Sequence, residues 1–118
     1  MSNSMSALRR LIRANLLFID HQREINAALM NTFLGVATYC NDPDIKDPLS
    51  IKELAKRLDL APSTVSRHLR YLGHWQRKGV PGMGLVETMR SPHDDRAKHV
   101  RLTPEGEALL VRLMRILD

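Results

Sequence analysis

Two short amphipathic segments, separated by a single turn, constrain the fold of this chain more than any other feature. The first begins at Ser50, and Glu53 follows three residues later, a capping-box spacing in which each side chain binds a free amide of a first helical turn. The second begins at Pro62, because proline at the first helical position loses no hydrogen bond. Its span, residues 62–72, is predicted to bury one apolar stripe: Val65, Leu69 and Leu72. Two short helices joined by a tight turn form a helix-turn-helix.

The polar side chains of the second helix fall on the side opposite its apolar stripe. At about 100° per residue, three of them point directly away from the stripe and three lie on its flanks. They are Ser63, Arg67 and Arg70, flanked by Thr64 and Tyr71 on one side and by Ser66 on the other. Because arginine binds both major-groove acceptors of guanine, Arg67 is the predicted base contact, while Arg70 and Tyr71 are predicted phosphate contacts. Ser63 and Thr64 would reach bases or phosphates, and an ordinary polar surface is the alternative.

Downstream of this helix the apolar period changes from helical to extended. Residues 85–89 and 98–102 are predicted to be two strands, with a polar turn at 91–95 between them. A basic hairpin after such a helix is typical of a wing, whose tip arginine enters a narrow minor groove of enhanced negative potential. The residues assigned to it are Arg96 at the tip, Asp94 as its support, and Arg90 and Lys98 at flanking phosphates. For Asp94 and Arg96, a surface ion pair worth at most about 1 kcal/mol is the alternative.

Three further helices are predicted outside this unit. Residues 6–19 and 23–39 have helical periods, with Asp20 as a cap or a break between them, and two prolines make the following segment a loop. Thr103 and Pro104 begin a last helix. The 118 residues are therefore predicted to form one mainly α domain with a small β-hairpin wing, a winged helix-turn-helix. Its parts are N-terminal helices in 1–40, the winged helix-turn-helix in 49–103 and a C-terminal helix in 104–118.

Positive charge is concentrated in the winged unit. Between Ser50 and Arg101, eleven Lys or Arg and five Asp or Glu leave a net charge of +6, whereas the remainder of the chain has a net charge of −1. This distribution is typical of a nucleic-acid-binding surface, because neutralising phosphates releases counterions. A solvated basic face is the alternative.

The sequence disfavours several other classes of protein. No apolar run reaches the roughly 18 residues of a membrane span, and the single cysteine, Cys40, allows no internal disulfide, so the expected location is the cytoplasm. The five histidines lack the compact spacing and thiolate partners of a zinc site. No enzymatic activity, metal or other cofactor is expected. Cys40 is interpreted as a small buried apolar residue, with a redox sensor as the alternative.

Taken in order, these segments resemble the MarR family of winged-helix regulators. The resemblance covers residues 49–113 and is carried by LAKRL at 54–58, PSTVSRHL at 62–69, GLVE at 84–87 and DDRAKHVRLTPEG at 94–106. It implies a homodimer on double-stranded DNA, with recognition helix 62–72 of each subunit in a major groove and wing 85–102 in a minor groove. It also implies a transcriptional regulator, usually a repressor at near-palindromic sites. In many family members a small molecule or an oxidant releases the DNA, but the sequence indicates no particular effector.

Two departures from the family pattern affect the expected partners. The connection from Gly73 to Gly84 is longer than usual, and Trp75 within it is expected to pack on the core or to extend the DNA or partner surface. The family also typically ends in two helices that build the dimer interface, whereas one is predicted here. The predicted interface residues are Leu8, Leu11, Ile12, Leu109, Leu113 and Leu117, the last three as an exposed apolar patch. The departures motivate a second hypothesis, a winged-helix module for protein contact or an accessory DNA-binding part of a replication, partition or phage-type complex.

Overall fold

Five helices and two small hairpins form the fold in a computed structural model, which describes residues 3–40, 48–90 and 98–118. The elements are α1 (Asn3–His21), α2 (Ala27–Tyr39), α3 (Ile51–Leu58), α4 (Pro62–Leu72), β1 (Trp75–Arg77), β2 (Val80–Pro81), β3 (Val86–Arg90), β4 (Lys98–Leu102) and α5 (Pro104–Leu117). This is the predicted mainly α architecture with a β-hairpin wing. Among the described residues, no helix is long and apolar enough to cross a membrane.

Side-chain caps begin α3 and α5 at the predicted residues. The Ser50 hydroxyl accepts a hydrogen bond from the Glu53 amide at 3.0 Å, and the Thr103 hydroxyl accepts one from the Gly106 amide at 3.1 Å. Each bond satisfies an amide that has no partner within the helix. The Glu53 carboxylate accepts a hydrogen bond from Arg57, one turn further along α3.

Helix α2 begins later than the sequence predicted. Asp20 neither caps it nor ends α1, because α1 continues to His21. The cap is Asn26, whose side-chain oxygen accepts a hydrogen bond from the Leu29 amide at 2.9 Å. The predicted start of α2 was wrong because Asp20 and Asn26 are equally suited to capping, and the residues between them are compatible with a helix.

One hydrophobic core connects all five helices and the β3–β4 hairpin. The predicted stripe of α4 is buried, with Val65, Leu69 and Leu72 each no more than 3% exposed. Phe18 of α1 packs edge-to-face on Phe33 of α2, with ring centroids 5.7 Å apart. The stripe therefore fixes which side of α4 faces outward.

The predicted exposure of the α5 leucines is wrong for two of the three. Leu109 and Leu113 are each 2% exposed, because α5 packs on α1 and β4 and directs them into the core of its own chain. They therefore offer no surface to a second subunit, whereas Leu117 is 43% exposed. The large apolar side chains that do remain exposed on α1 and α5 are Met5, Leu8, Leu11, Ile12, Leu16, Ile19, Val111, Met114 and Leu117.

The connection between Gly73 and Gly84, predicted as a loop, contains the hairpin β1–β2. Four consecutive amides, those of residues 82–85, donate to the carbonyls of His74, Tyr71, Gly73 and Leu72, respectively, at 2.7–2.9 Å. Some of these carbonyls would otherwise lack partners at the end of α4. Gly82 permits this close approach, because a Cβ there would overlap the Gly73 carbonyl oxygen. The sequence did not predict the hairpin, since its strands are only three and two residues long.

Strands β3 and β4 form an antiparallel hairpin beside α4. Their register runs from Val86 opposite Leu102 to Arg90 opposite Lys98. Strand β3 begins one residue later than predicted, because the Leu85 backbone binds elsewhere: its amide donates to Leu72 and its carbonyl accepts from Thr103. The Val100 amide donates to the Leu49 carbonyl at 2.9 Å, which attaches β4 to the segment before α3.

Candidate nucleic-acid interface

Helix α4 presents its predicted polar residues on the outside of the fold. Ser63, Arg67 and Arg70 are exposed, and Thr64 and Ser66 on the flanks are half-buried. They belong to the stretch from residue 60 to residue 86, which contains four Lys or Arg and no Asp or Glu. A polar, cationic helix face of this kind has the hydroxyl and guanidinium donors that contact bases and phosphates.

His68 connects the inner flank of α4 to α2. Its Nδ1 lies 2.8 Å from the hydroxyl oxygen of Thr32, which is fully buried. That hydroxyl also donates to the Ala28 carbonyl at 3.1 Å. The tautomer of His68 determines which of the two side chains donates in the bond between them. Burial, with a smaller contribution from the neighbouring Arg67, lowers the pKa of His68.

Tyr71 is placed differently from the prediction of an outward phosphate contact. It is half-buried, and its hydroxyl accepts a hydrogen bond of 2.6 Å from Gln22 in the turn after α1. Sequence reasoning missed this role and that of His68. Spacing alone did not reveal either role, since Tyr71 is three residues after His68 but also four residues after the outward-facing Arg67.

The wing is described only in part. Arg90 and Lys98 are paired across β3 and β4, but their side chains are outside the described set, and Asp94 and Arg96 lie outside the described residues altogether. Next to this pair, Arg101 on β4 donates to the carboxylate of Glu87 on β3. The assigned wing contacts therefore remain predictions.

A cavity of about 390 Å³ lies between α4 and β3. Ser66 and Arg70 line it from α4, Glu87 and Thr88 line it from β3, and Trp75 lines it from the β1–β2 hairpin. Trp75 is 61% exposed, which excludes the expectation that it packs on the core. Ser66 and Arg70 of α4, the wing strand and the exposed tryptophan thus share one concave surface.

The surroundings of Cys40 fit the interpretation as a packing residue. Cys40 is half-buried at the end of α2 and packs against the core. Burial raises the pKa of its thiol, and Glu107 raises it further, so the reactive thiolate is disfavoured. Across residues 3–40, 48–90 and 98–118, no group of three or more His, Cys, Asp or Glu side chains is arranged to hold a metal ion.

Comparisons with known proteins agree with this fold. The family model described as a winged helix DNA-binding domain matches residues 45–106, more than half of the chain. No significant match to a curated protein sequence is found.

Solved structures with similar folds come from several bacteria. A mutant of S. aureus MepR bound to an oligodeoxyribonucleotide is 24% identical, with a TM-score of 0.69 over 100% of this chain and 78% of that one. The PcaV transcriptional regulator of Streptomyces coelicolor, in complex with its natural ligand, is 25% identical, with a TM-score of 0.55. The match covers 92% of this chain and 71% of PcaV. A candidate DNA-binding protein from Ralstonia eutropha is 27% identical, with a TM-score of 0.57. The match covers 75% of this chain and 96% of that one. The likeness to MarR-type regulators is confirmed in the fold, and the chain belongs to the winged helix DNA-binding domain family.

Proposed function

We propose that this protein is a dimeric, sequence-specific double-stranded-DNA-binding transcriptional regulator. The observation that carries the proposal is the orientation of α4, which buries its apolar stripe and exposes Ser63, Arg67 and Arg70. In this proposal α4 occupies a major groove, where Arg67 contacts bases and Arg70 contacts phosphate. Thr64 and Ser66 reach the groove edges, whereas Tyr71 supports the helix through Gln22.

The β3–β4 wing is proposed to contact the adjacent minor groove. Arg90 and Lys98 stand opposite each other at the end of the described hairpin, so both begin the segment that carries Asp94 and Arg96. Replacing Arg96 by Ala should weaken binding most at sites with a narrow minor groove, because such grooves attract arginine most strongly. Affinity measured on matched duplexes with and without a central A-tract tests this role.

A homodimer is supported by the apolar side chains exposed on α1 and α5. The two helices pack against each other, and Leu8, Ile12 and Leu117 are each between 43% and 58% exposed. Large contiguous apolar surfaces are uncommon on monomers. Two copies related by a two-fold axis would cover this surface and present two α4 helices to one duplex. By the family resemblance the regulator is proposed to be a cytoplasmic repressor.

Selection of binding sites from a random duplex library tests the proposal directly. We expect a near-palindromic winner with half-sites about 10 base pairs apart, bound roughly 10³-fold or more above a scrambled duplex. Weak, equal binding to both duplexes with the same salt dependence would contradict sequence-specific regulation and leave a phosphate-only binder. Retention of binding by a strictly monomeric protein would contradict the dimer.

A further inference from the structure

We propose that the β1–β2 hairpin, residues 74–82, is a second DNA-contact element, which binds the phosphate backbone beside the segment occupied by α4. The inference rests on the proposed function and extends it to a surface that neither the helix-turn-helix nor the wing includes. It is carried by charge, by the exposure of Trp75 and by continuity with α4.

The charge of the hairpin matches a polyanion. Arg77 and Lys78 are exposed at its tip, where Arg77 is paired with Val80, and His74 is exposed at its base. No Asp or Glu occurs between residues 60 and 86, so the hairpin and α4 form one stretch without acidic residues. Two cations at a tight turn can approach phosphates from either side of the strand pair.

Trp75 is an exposed residue of a hydrogen-bonded hairpin. The Gly82 amide donates to the His74 carbonyl at 2.9 Å, and Trp75 stands opposite Pro81 in the strand register. The indole therefore belongs to an ordered hairpin, yet 61% of the residue is exposed. An indole has an apolar face and one N–H donor, which suits a surface that alternates deoxyribose carbons with phosphate oxygens.

The cavity makes the hairpin continuous with the proposed interface. His74 and Trp75 line the same concave surface as Ser66 and Arg70 of α4. The acidic residue on that surface, Glu87, is paired with Arg101, which offsets its charge. A DNA strand that follows the polar face of α4 towards the end of the helix therefore meets cations and an indole on the hairpin. A protein partner with an apolar docking surface would instead face two charged tip residues.

Trp75 is the only tryptophan in the chain, so its fluorescence reports on the hairpin alone. The experiment titrates the full chain with an end-labelled duplex of about 30 base pairs, which extends past two half-sites. Anisotropy of the label measures binding, and acrylamide quenching of Trp75 in the same samples measures its accessibility. Arg77→Ala/Lys78→Ala is compared with Arg112→Ala/Arg115→Ala, which removes the same charge from the exposed side of α5.

We expect bound DNA to shield Trp75 from acrylamide. The hairpin variant should lower the slope of log affinity against log salt by about 2 for each bound subunit, since each lost phosphate contact contributes about 0.9. The α5 variant should retain the wild-type slope. Binding with unchanged quenching and unchanged slopes would overturn the hairpin contact and leave the proposed function standing. Failure of the wild-type protein to bind any duplex would overturn both. Shielding of Trp75 only by a co-purified protein would assign the surface to that partner.

Discussion

The buried hydroxyl of Thr32 on α2 lies 2.8 Å from Nδ1 of His68 on α4. This hydrogen bond joins a helix of the N-terminal part of the chain to the helix that carries the proposed base contacts. Because Arg67 directly precedes His68 along α4, the bond also restricts how the arginine is presented. The stability of the fold depends on this bond, and the burial of His68 makes that stability depend on pH.

Loss of the Thr32 hydroxyl should destabilise the protein. In Thr32→Val the volume is nearly unchanged, but Nδ1 of His68 loses its hydrogen-bond partner, which is expected to cost about 1–3 kcal/mol of the free energy of unfolding. Thr32→Ser retains the hydroxyl and should cost less. Urea unfolding of the two variants and the wild type measures the difference, and equal stability of Thr32→Val and Thr32→Ser would contradict the role of the bond.

Stability should fall as the pH drops below about 6.5, the ordinary pKa of histidine. Burial lowers the pKa of His68 in the folded state, so the unfolded chain binds a proton first and is favoured as the pH decreases towards the folded pKa. Above pH 6.5 both states are neutral at this residue, and the effect is absent. His68→Gln should remove this part of the pH dependence, whereas His74→Gln, at an exposed position, should retain it. Unfolding free energies measured between pH 5 and 8 check this, and identical profiles for all three proteins would contradict it.

Arg67→Ala should reduce specific DNA binding by about 1–3 kcal/mol and relax base preference at one position of each half-site. The side chain is exposed, so the fold should tolerate its removal. Arg115→Ala, an exposed arginine on α5, controls for the change in net charge. Binding-site selection with each variant is the measurement. An unchanged site preference for Arg67→Ala would remove this residue from the base-reading role.

Introducing acidic residues on α1 should dissociate the proposed dimer. Leu8 and Ile12 are 54% and 58% exposed, so Leu8→Glu/Ile12→Glu should produce a folded monomer. The buried Leu113 gives the contrast, because Leu113→Ala should lower the free energy of unfolding by about 2–5 kcal/mol rather than change the assembly directly. Sedimentation and urea unfolding separate the two effects. An unaltered dimer in the α1 variant would place the interface elsewhere.

Gly106 should tolerate no side chain. A Cβ at this position would overlap the carbonyl oxygen of Leu85, so Gly106→Ala requires α5 to move away from the start of the wing, at an expected cost of about 1–3 kcal/mol. Glu105→Ala, in the same helical turn but exposed, should cost less than about 1 kcal/mol. Thermal unfolding of both variants tests the contrast, and equal melting temperatures would contradict the close contact.

The parts of the fold that local chemistry determines could be predicted from sequence. Pro62 and the apolar period set the bounds and the buried side of α4, and alternation of polar and apolar residues set the span of β4. The features that depend on what a surface packs against could not be predicted from sequence. The apolar stripe of α5 is equally compatible with facing its own chain or another, and only the packing of α5 on α1 distinguishes Leu109 from Leu117. Likewise, the hairpin that carries Trp75 is attached to the end of α4 by backbone bonds, and the sequence pattern does not indicate these bonds.

The bonds from Gln22 to Tyr71 and from Thr32 to His68 have a geometric consequence for a dimer joined through α1 and α5. Both bonds attach α4 to the N-terminal part of the chain that carries much of the exposed apolar surface. In such a dimer the positions of the N-terminal helices, rather than α4 itself, would determine the distance between the two recognition helices. In the proposed dimer, a change in the tilt of α1 or α2 would alter the accepted half-site spacing without changing any of the proposed DNA contacts.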